Sequence, residues 1–197
     1  MERCGVLPTT QFAYQKGQGT CYELLCMSHT LQSALENGQE ARIVQIDFSA
    51  AFDRVNHQGI LYKLCYVGIG GSGLSILSQF LSNPSQHIMD DICRSKLVNV
   101  MSGVSQGSVL DPLLYLTYTS EVFYIFENKR IVYADDNTSI AVVTSPGIRV
   151  AVAESLIHDL MKISKWCEIW VMKLNASKTK TMIVSRSCTI HPQSITH

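Results

Sequence analysis

Hydrophobic residues recur along the chain with two periods, and the changes between them mark the expected elements. Leu24, Met27, Leu31 and Leu35 fall on one helical face, and Asn37-Gly38 supplies a stop signal, so a helix is expected over about 21–37. Over 41–48 the period drops to two. Val44, Ile46 and Phe48 share one face and Ile43, Gln45 and Asp47 the other, which places Asp47 near the end of a strand. Residues 57–66 and 72–82 return to helical spacing around a Gly-rich break at 68–73.

Residues 86–89 and 96–101 read as a hairpin about Asp90-Asp91. The polar turn 102–108 opens an apolar stretch expected to be helical through Phe126. Two β-prone runs, 130–134 and 139–143, are joined by Asp135-Asp136-Asn137-Thr138, a linker suited to a hairpin turn. Val152, Leu156, Leu160, Ile163, Cys167 and Trp170 mark the longest helix, which begins after Pro146-Gly147, and 182–184 closes the pattern as a strand. Strands do not alternate regularly with helices, so the fold class expected is α+β.

Composition narrows the setting. The 197 residues are 46% hydrophobic and 16% charged, with 12 Gly and 5 Pro, which excludes disordered and collagen-like chains. Sixteen basic residues balance sixteen acidic ones, so no global field draws the chain to nucleic acid. Only the last quarter, 144–197, is locally basic. Seven cysteines without a C-x-x-C pair point to neither a disulfide framework nor a zinc site. The N-terminus carries no apolar signal region, and the most apolar stretch, 113–126, is short and interrupted by Glu121. An intracellular protein with no membrane partner is expected, with no choice between nucleus and cytoplasm.

Chemistry concentrates in two places, the segment from Asp47 to Asp53 and the tetrapeptide Tyr133-Ala134-Asp135-Asp136. Asp47 and Asp135 are 88 residues apart. If their strands are neighbours in one sheet, the two are placed to share two Mg2+ ions about 4 Å apart, the arrangement used in phosphoryl transfer. Alone, each acid reads sooner as an N-cap, a turn former or a solvated surface charge than as a metal ligand. The six histidines are scattered without ligand spacing, and Trp166 and Trp170 are expected to pack against the sheet.

In chain order, the Asp47–Phe52 segment, Ser105-Gln106-Gly107-Ser108, the YADD tetrapeptide at 133–136 and Leu174-Asn175-Ala176-Ser177-Lys178-Thr179 resemble successive motifs of reverse transcriptases from non-LTR (LINE-type) retrotransposons. Residues 11–20, QFAYQKGQGT, look like that family's fingers motif. The resemblance implies an RNA-directed DNA polymerase with a reverse-transcriptase-like palm and partial fingers, the thumb absent. About 1–40 would be partial fingers, about 41–185 mainly palm with inserted elements, and 186–197 a tail.

It further implies that Asp47 and Asp135 bind the catalytic metals, with the Phe48 carbonyl as a further ligand and Asp136 as a supporting carboxylate. Phe52 would lie beneath the incoming sugar and favour deoxynucleotides, while Gln106 and Gly107 would contact nucleotide and template. Lys178, with Lys180 as its alternative, would assist the leaving pyrophosphate, and Lys16 would steer the triphosphate. The implied cofactor is Mg2+, with Mn2+ as the alternative. The implied partners are an RNA or DNA template with primer, and deoxynucleoside triphosphates.

Two positions depart from the family pattern: Ser105 stands where Pro is typical, and Asp111 where Gly is. The change frees φ at one turn and adds a charged side chain near a closely packed helix, so reverting both is expected to raise stability or activity. Three rival readings remain, an inactive retroelement-derived fragment that retains the fold, another two-metal phosphoryl-transfer enzyme, and a protein-interaction module with fortuitous acids.

Overall fold

The computed structural model describes residues 7–82, 85, 86, 89, 93, 95, 96, 98, 99, 102–104 and 107–186. They fall into two compact units, one formed by 1–49 with 120–197 and the other by 50–119.

The first unit is built on a four-stranded antiparallel sheet of order β4-β5-β1-β6. These strands are β1 (Glu40–Ile46), β4 (Lys129–Tyr133), β5 (Asp136–Val143) and β6 (Lys180–Val184). Helix α1 (Thr20–Glu36) covers one face. It ends where Gly38 adopts φ +68° and its N–H bonds the Leu35 carbonyl, a left-handed exit that glycine makes without strain. Cys26, Met27, Leu31 and buried Ala34 pack on Ala41, Ile43, Ile131 and Ile140. The expected apolar face of α1 therefore starts a turn late: Leu24 is exposed, and the helix meets the sheet from Cys26 onward.

The opposite face carries Val44, Ile46 and Ala141, and the long helix α6 (Arg149–Ile169) packs against β5 there. Leu156, Ile163, Trp166 and Cys167 are its buried side chains. Strand β1 is thus covered on both sides, and only Gln45 within it is exposed. Its two polar residues at the far end are paired: Glu40 takes Arg42 Nε at 2.8 Å and Arg149 Nε at 3.0 Å. Arg130 of β4 is buried as well, its guanidinium 3.5 Å from the centre of the Phe126 ring and donating to the Val122 carbonyl and to Asn137 Oδ1. Burial lowers its pKa to about 9, which leaves it charged at neutral pH.

Two expectations change here. The hairpin turn is not 135–138 but the two residues Ala134 and Asp135, since Tyr133 already pairs with Asp136 across the ladder. Asn137, Thr138 and Ser139 are buried strand residues. The helix expected through Phe126 ends at Thr119 as α4 (Asp111–Thr119), and a single turn α5 (Val122–Ile125) follows. Thr117 and Thr119 each return a hydroxyl to the carbonyl four residues back, the competition that makes such residues poor at continuing a helix.

The second unit holds a 3-10 turn (Phe52–Arg54), α2 (His57–Tyr66), α3 (Gly71–Leu81), the short antiparallel pair β2 (Ser85–Gln86) and β3 (Val98–Asn99), and α4. Asn56 caps α2 by accepting the Gly59 N–H at 2.8 Å. Lys63, buried in α2, donates to the Tyr118 carbonyl of α4. The rest of the expected hairpin, including Asp90-Asp91, lies outside the described residues. So do Ser105 and Gln106.

Residues 102–104 lie along the 3-10 turn: Gly103 N–H bonds the Val55 carbonyl at 2.8 Å and Val104 N–H the Phe52 carbonyl at 3.1 Å. Gly103 has φ +93°, and a Cβ there would stand 2.9 Å from Asp53 Cα. No larger residue fits that backbone approach. Asp111 is buried at the start of α4: its Oδ2 accepts the Ser108 N–H at 2.9 Å in the turn leading into the helix, while its Oδ1 has no hydrogen-bond partner among the described residues. A carboxylate at a helix start also meets the positive end of the helix dipole.

We expect Gly103→Ala to destabilise the protein by more than about 2 kcal/mol, from backbone strain and the clash together. Asp111→Gly should cost about 1 kcal/mol, against the gain inferred from sequence. Urea denaturation checks both, and an Asp111→Gly protein of equal or higher stability would show that the carboxylate is a burden after all.

Candidate active site

The site begins with a register. Strand β1 pairs with β5 so that Ile46 faces Asn137, and the next step along each chain sets Asp47 opposite Asp136, with Asp135 in the adjoining turn. Residues opposite each other in an antiparallel pair project to the same face, so Asp47 and Asp136 emerge together. The sequence-predicted acids 88 positions apart are thereby brought to one end of two neighbouring strands.

The direction of Asp47 is fixed by its neighbour in the chain. Phe48 is buried and meets the Trp166 ring edge-on at 6.4 Å, so it anchors to the α6 side while Asp47 points the other way. The backbone here is clamped by the chain after α6: Asn175 N–H donates to the Asp47 carbonyl and Ser49 N–H to the Lys173 carbonyl, each at 2.8 Å, around a Phe48–Leu174 bridge. In such a non-hydrogen-bonded pair the carbonyl of Phe48 points away from Leu174, toward the side on which β5 lies.

The same clamp carries Lys178. Asn175 folds a turn beneath it, its Oδ1 taking the Ser177 hydroxyl at 2.7 Å and the Lys178 N–H at 3.3 Å. Lys178 is exposed, whereas Lys180 donates its ammonium to the Ser177 carbonyl at 3.1 Å. Of the two lysines, Lys178 is the less engaged.

The acids at this end of the sheet act on one another electrostatically. The pKa of Asp136 is raised by burial first and then by the charges of Asp135 and Asp47. Glu23, in the first turn of α1, is raised by burial and by Asp136. Asp47 Oδ2 is buried and has no hydrogen-bond partner among the described residues. An orphaned carboxylate oxygen beside other carboxylates fits a hard divalent cation, because oxygen donors and uncompensated negative charge are what such an ion takes up. Among the described residues no three His, Cys, Asp or Glu side chains are gathered as a full metal shell.

The remaining candidates are placed separately. Lys16 is exposed in the loop before α1. Phe52 and Gly107 belong to the second unit, where Phe52 stacks on buried Tyr115 at 4.4 Å and Gly107 holds φ +105°, a conformation reserved to glycine. Three residues near the turn were not singled out from sequence: Glu23, Gln11 and Asn137. Gln11 stood inside the matched segment 11–20, but its contact with residue 134 has no local signal, and Glu23 looked like an ordinary first-turn acid.

Residues 1–194 match the family described as reverse transcriptase (RNA-dependent DNA polymerase). The chain is 31% identical over 180 residues to the RNA-directed DNA polymerase from mobile element jockey of Drosophila melanogaster, covering 87% of this chain and 19% of that protein. It is 28% identical over 181 residues to the probable RNA-directed DNA polymerase from transposon BS of the same fly, covering 88% and 20%. The chain thus spans about a fifth of the length of these relatives. Among solved structures, apo telomerase from Candida tropicalis, truncated from its C-terminal domain, superposes with a TM-score of 0.61 at 13% identity, over 91% of this chain and 37% of that one. At that identity the likeness is one of fold.

A carboxyl whose pKa is raised on folding binds more protons when folded, so stability falls as pH rises from the unfolded value, 3.8 for Asp136, through the folded one. In the metal-free protein Asp136→Asn should therefore raise stability at pH 7 and move the Glu23 pKa part of the way back toward 4.5. Carboxyl NMR titration reads the second effect, and an unmoved Glu23 would contradict the clustering.

Proposed function

The chain belongs to the reverse transcriptase (RNA-dependent DNA polymerase) family, and from that premise we propose that it is the catalytic core of a non-LTR retrotransposon polymerase, adding deoxynucleotides to a primer 3′-OH on an RNA or DNA template. The observation that supports this reading is the β1–β5 register, which ends with Ile46 against Asn137 so that Asp47 leaves β1 at the end of the sheet where the 134–135 turn lies, together with an Asp47 Oδ2 that is buried without a hydrogen-bond partner among the described residues.

Asp47 and Asp135 would hold Mg2+, or Mn2+ in its place, with the Phe48 carbonyl completing the protein's share. Bound there, the metal supplies positive charge that acidifies the primer hydroxyl and steadies the leaving pyrophosphate. Asp136 keeps the local field negative. Lys178, exposed on its Asn175-centred turn, is suited to give a proton or a positive charge to the pyrophosphate. Lys16 draws in the triphosphate from the loop before α1. As the family resemblance implies, Phe52, stacked on Tyr115, would crowd the 2′ position of the sugar, and Gln106 and Gly107 would contact nucleotide and template. In this reading about 41–185 forms mainly palm, about 1–40 part of the fingers, and 186–197 a tail. The balanced charge would provide few phosphate contacts, so the grip of these residues on primer and template would be weak.

Primer extension on an RNA template with Mg2+ and deoxynucleotides tests the reading. Extension should fall by more than about 100-fold in Asp135→Asn, since changes merely behind a metal ligand already cost roughly 10–100-fold. A folded wild-type chain that extends no primer would favour the inactive fragment, and Asp135-dependent cleavage without extension a nuclease. Phe52→Ala should relax sugar choice, raising ribonucleotide use relative to deoxynucleotide; an unchanged ratio would remove Phe52 from the sugar site.

A further inference from the structure

The two-residue turn that carries Asp135 is held by side chains from outside it. Ala134 adopts φ +56°, a left-handed conformation that an alanine does not hold by preference. Gln11, 123 positions earlier and 0% exposed, closes on this residue from the loop before α1. Its Oε1 accepts the Ala134 N–H at 3.0 Å and the Ala13 N–H at 2.9 Å, and its Nε2 donates to the Ala134 carbonyl at 3.3 Å. The loop itself is fastened to the edge of β4, with Phe12 N–H on the Val132 carbonyl at 2.9 Å and Val132 N–H on the Thr10 carbonyl at 3.0 Å.

These bonds have a specific geometric effect. The N–H and the C=O of Ala134 belong to the two peptide planes on either side of its Cα, so one carboxamide that grips both fixes φ and ψ there. The next plane is gripped too, because Asn137 Nδ2 donates to the Asp135 carbonyl at 2.7 Å, and buried Arg130 donates to Asn137 Oδ1 in turn. Both planes flanking Asp135 are therefore held, and with them the direction of its Cα–Cβ bond. A fully buried carboxamide is a costly way to fill space, since it must be desolvated and an apolar side chain would pack as well.

We propose that Gln11 is a positioning residue for the metal-binding carboxylate of Asp135, acting through the backbone of Ala134. The proposal rests on the two-metal reading above. Without the carboxamide, the turn relaxes out of its left-handed conformation, and the Asp135 carboxylate no longer converges with Asp47 on one cation. Gln11 touches neither metal nor substrate in this role.

The test is Gln11→Met, which keeps the shape and removes the hydrogen bonds, beside Ile163→Val, a loss of packing in α6 at a buried residue that makes none of the turn's hydrogen bonds. Hydrogen exchange over 133–137 and Mn2+ affinity by electron paramagnetic resonance are read on each folded protein. We expect Gln11→Met to speed exchange at the turn and weaken Mn2+ binding about five- to tenfold, while Ile163→Val does neither. Unchanged turn exchange, unchanged Mn2+ affinity, or equal effects from Ile163→Val would overturn the proposal. Should Gln11→Met not fold, Gln11→Glu, which keeps the acceptor oxygen and loses the donor to Ala134, takes its place. Asp135→Asn separates the premise from the proposal. If the wild-type protein shows no Asp135-dependent Mn2+ binding, the two-metal reading falls and the proposal with it, even where exchange shows that the clamp is real.

Discussion

Everything at the candidate site depends on one backbone pairing, the antiparallel ladder between β1 and β5. Its register, Ile43 against Ile140 and Ile46 against Asn137, decides that Asp47 leaves its strand beside the turn that carries Asp135. A slip by one residue would send Asp47 toward α6 and bring Phe48 out to its place. The slip is opposed by burial on both faces. Ala41 and Ile43 are covered by α1, Val44 and Ile46 lie on the face that α6 packs against, and Glu40 is tied to Arg42 and Arg149. The core therefore acts as a register device, and the acids inherit their convergence from it.

Convergence of like charges is unfavourable in the protein alone. Asp136 and Glu23 both have raised pKa values, and an oxygen of Asp47 lacks a partner. Packing meets that cost elsewhere, chiefly in the stacked layers of α1, sheet and α6. A left-handed alanine in the turn adds local strain, which persists because Gln11 and Asn137 satisfy the turn's backbone groups. Strain and repulsion collected at one spot, with order around it, is the pattern expected of a site built to receive a cation.

Much of this was legible in the sequence, for identifiable reasons. α1, α2, α3 and α6 fall within a residue or two of their periodic patterns, because each pattern covers at least two turns. β1 was found by its alternation although it is buried on both faces, since Gln45 alone kept the alternation visible. The turn at 134–135 was misplaced because Asn137, Thr138 and Ser139 read as polar linker, and their burial is explained by partners such as Arg130 that local pattern does not display. The break at 120–121 was hidden because apolar residues resume after it, though Thr117, Thr119 and the interruption at Glu121 carried the cause. At the site, Asp47 and the YADD acids stood out by position and by resemblance to a known family. Gln11 and Glu23 did not, because their roles arise from contacts made across more than a hundred residues.

The most direct measurement is a crystal soaked in Mn2+ and examined by anomalous diffraction. The account predicts a peak between the carboxylates of Asp47 and Asp135, at about the 2.1 Å spacing typical of a small divalent cation and its oxygen ligands. A well-ordered site with both side chains visible and no peak between them, or a peak held by other residues, would contradict it.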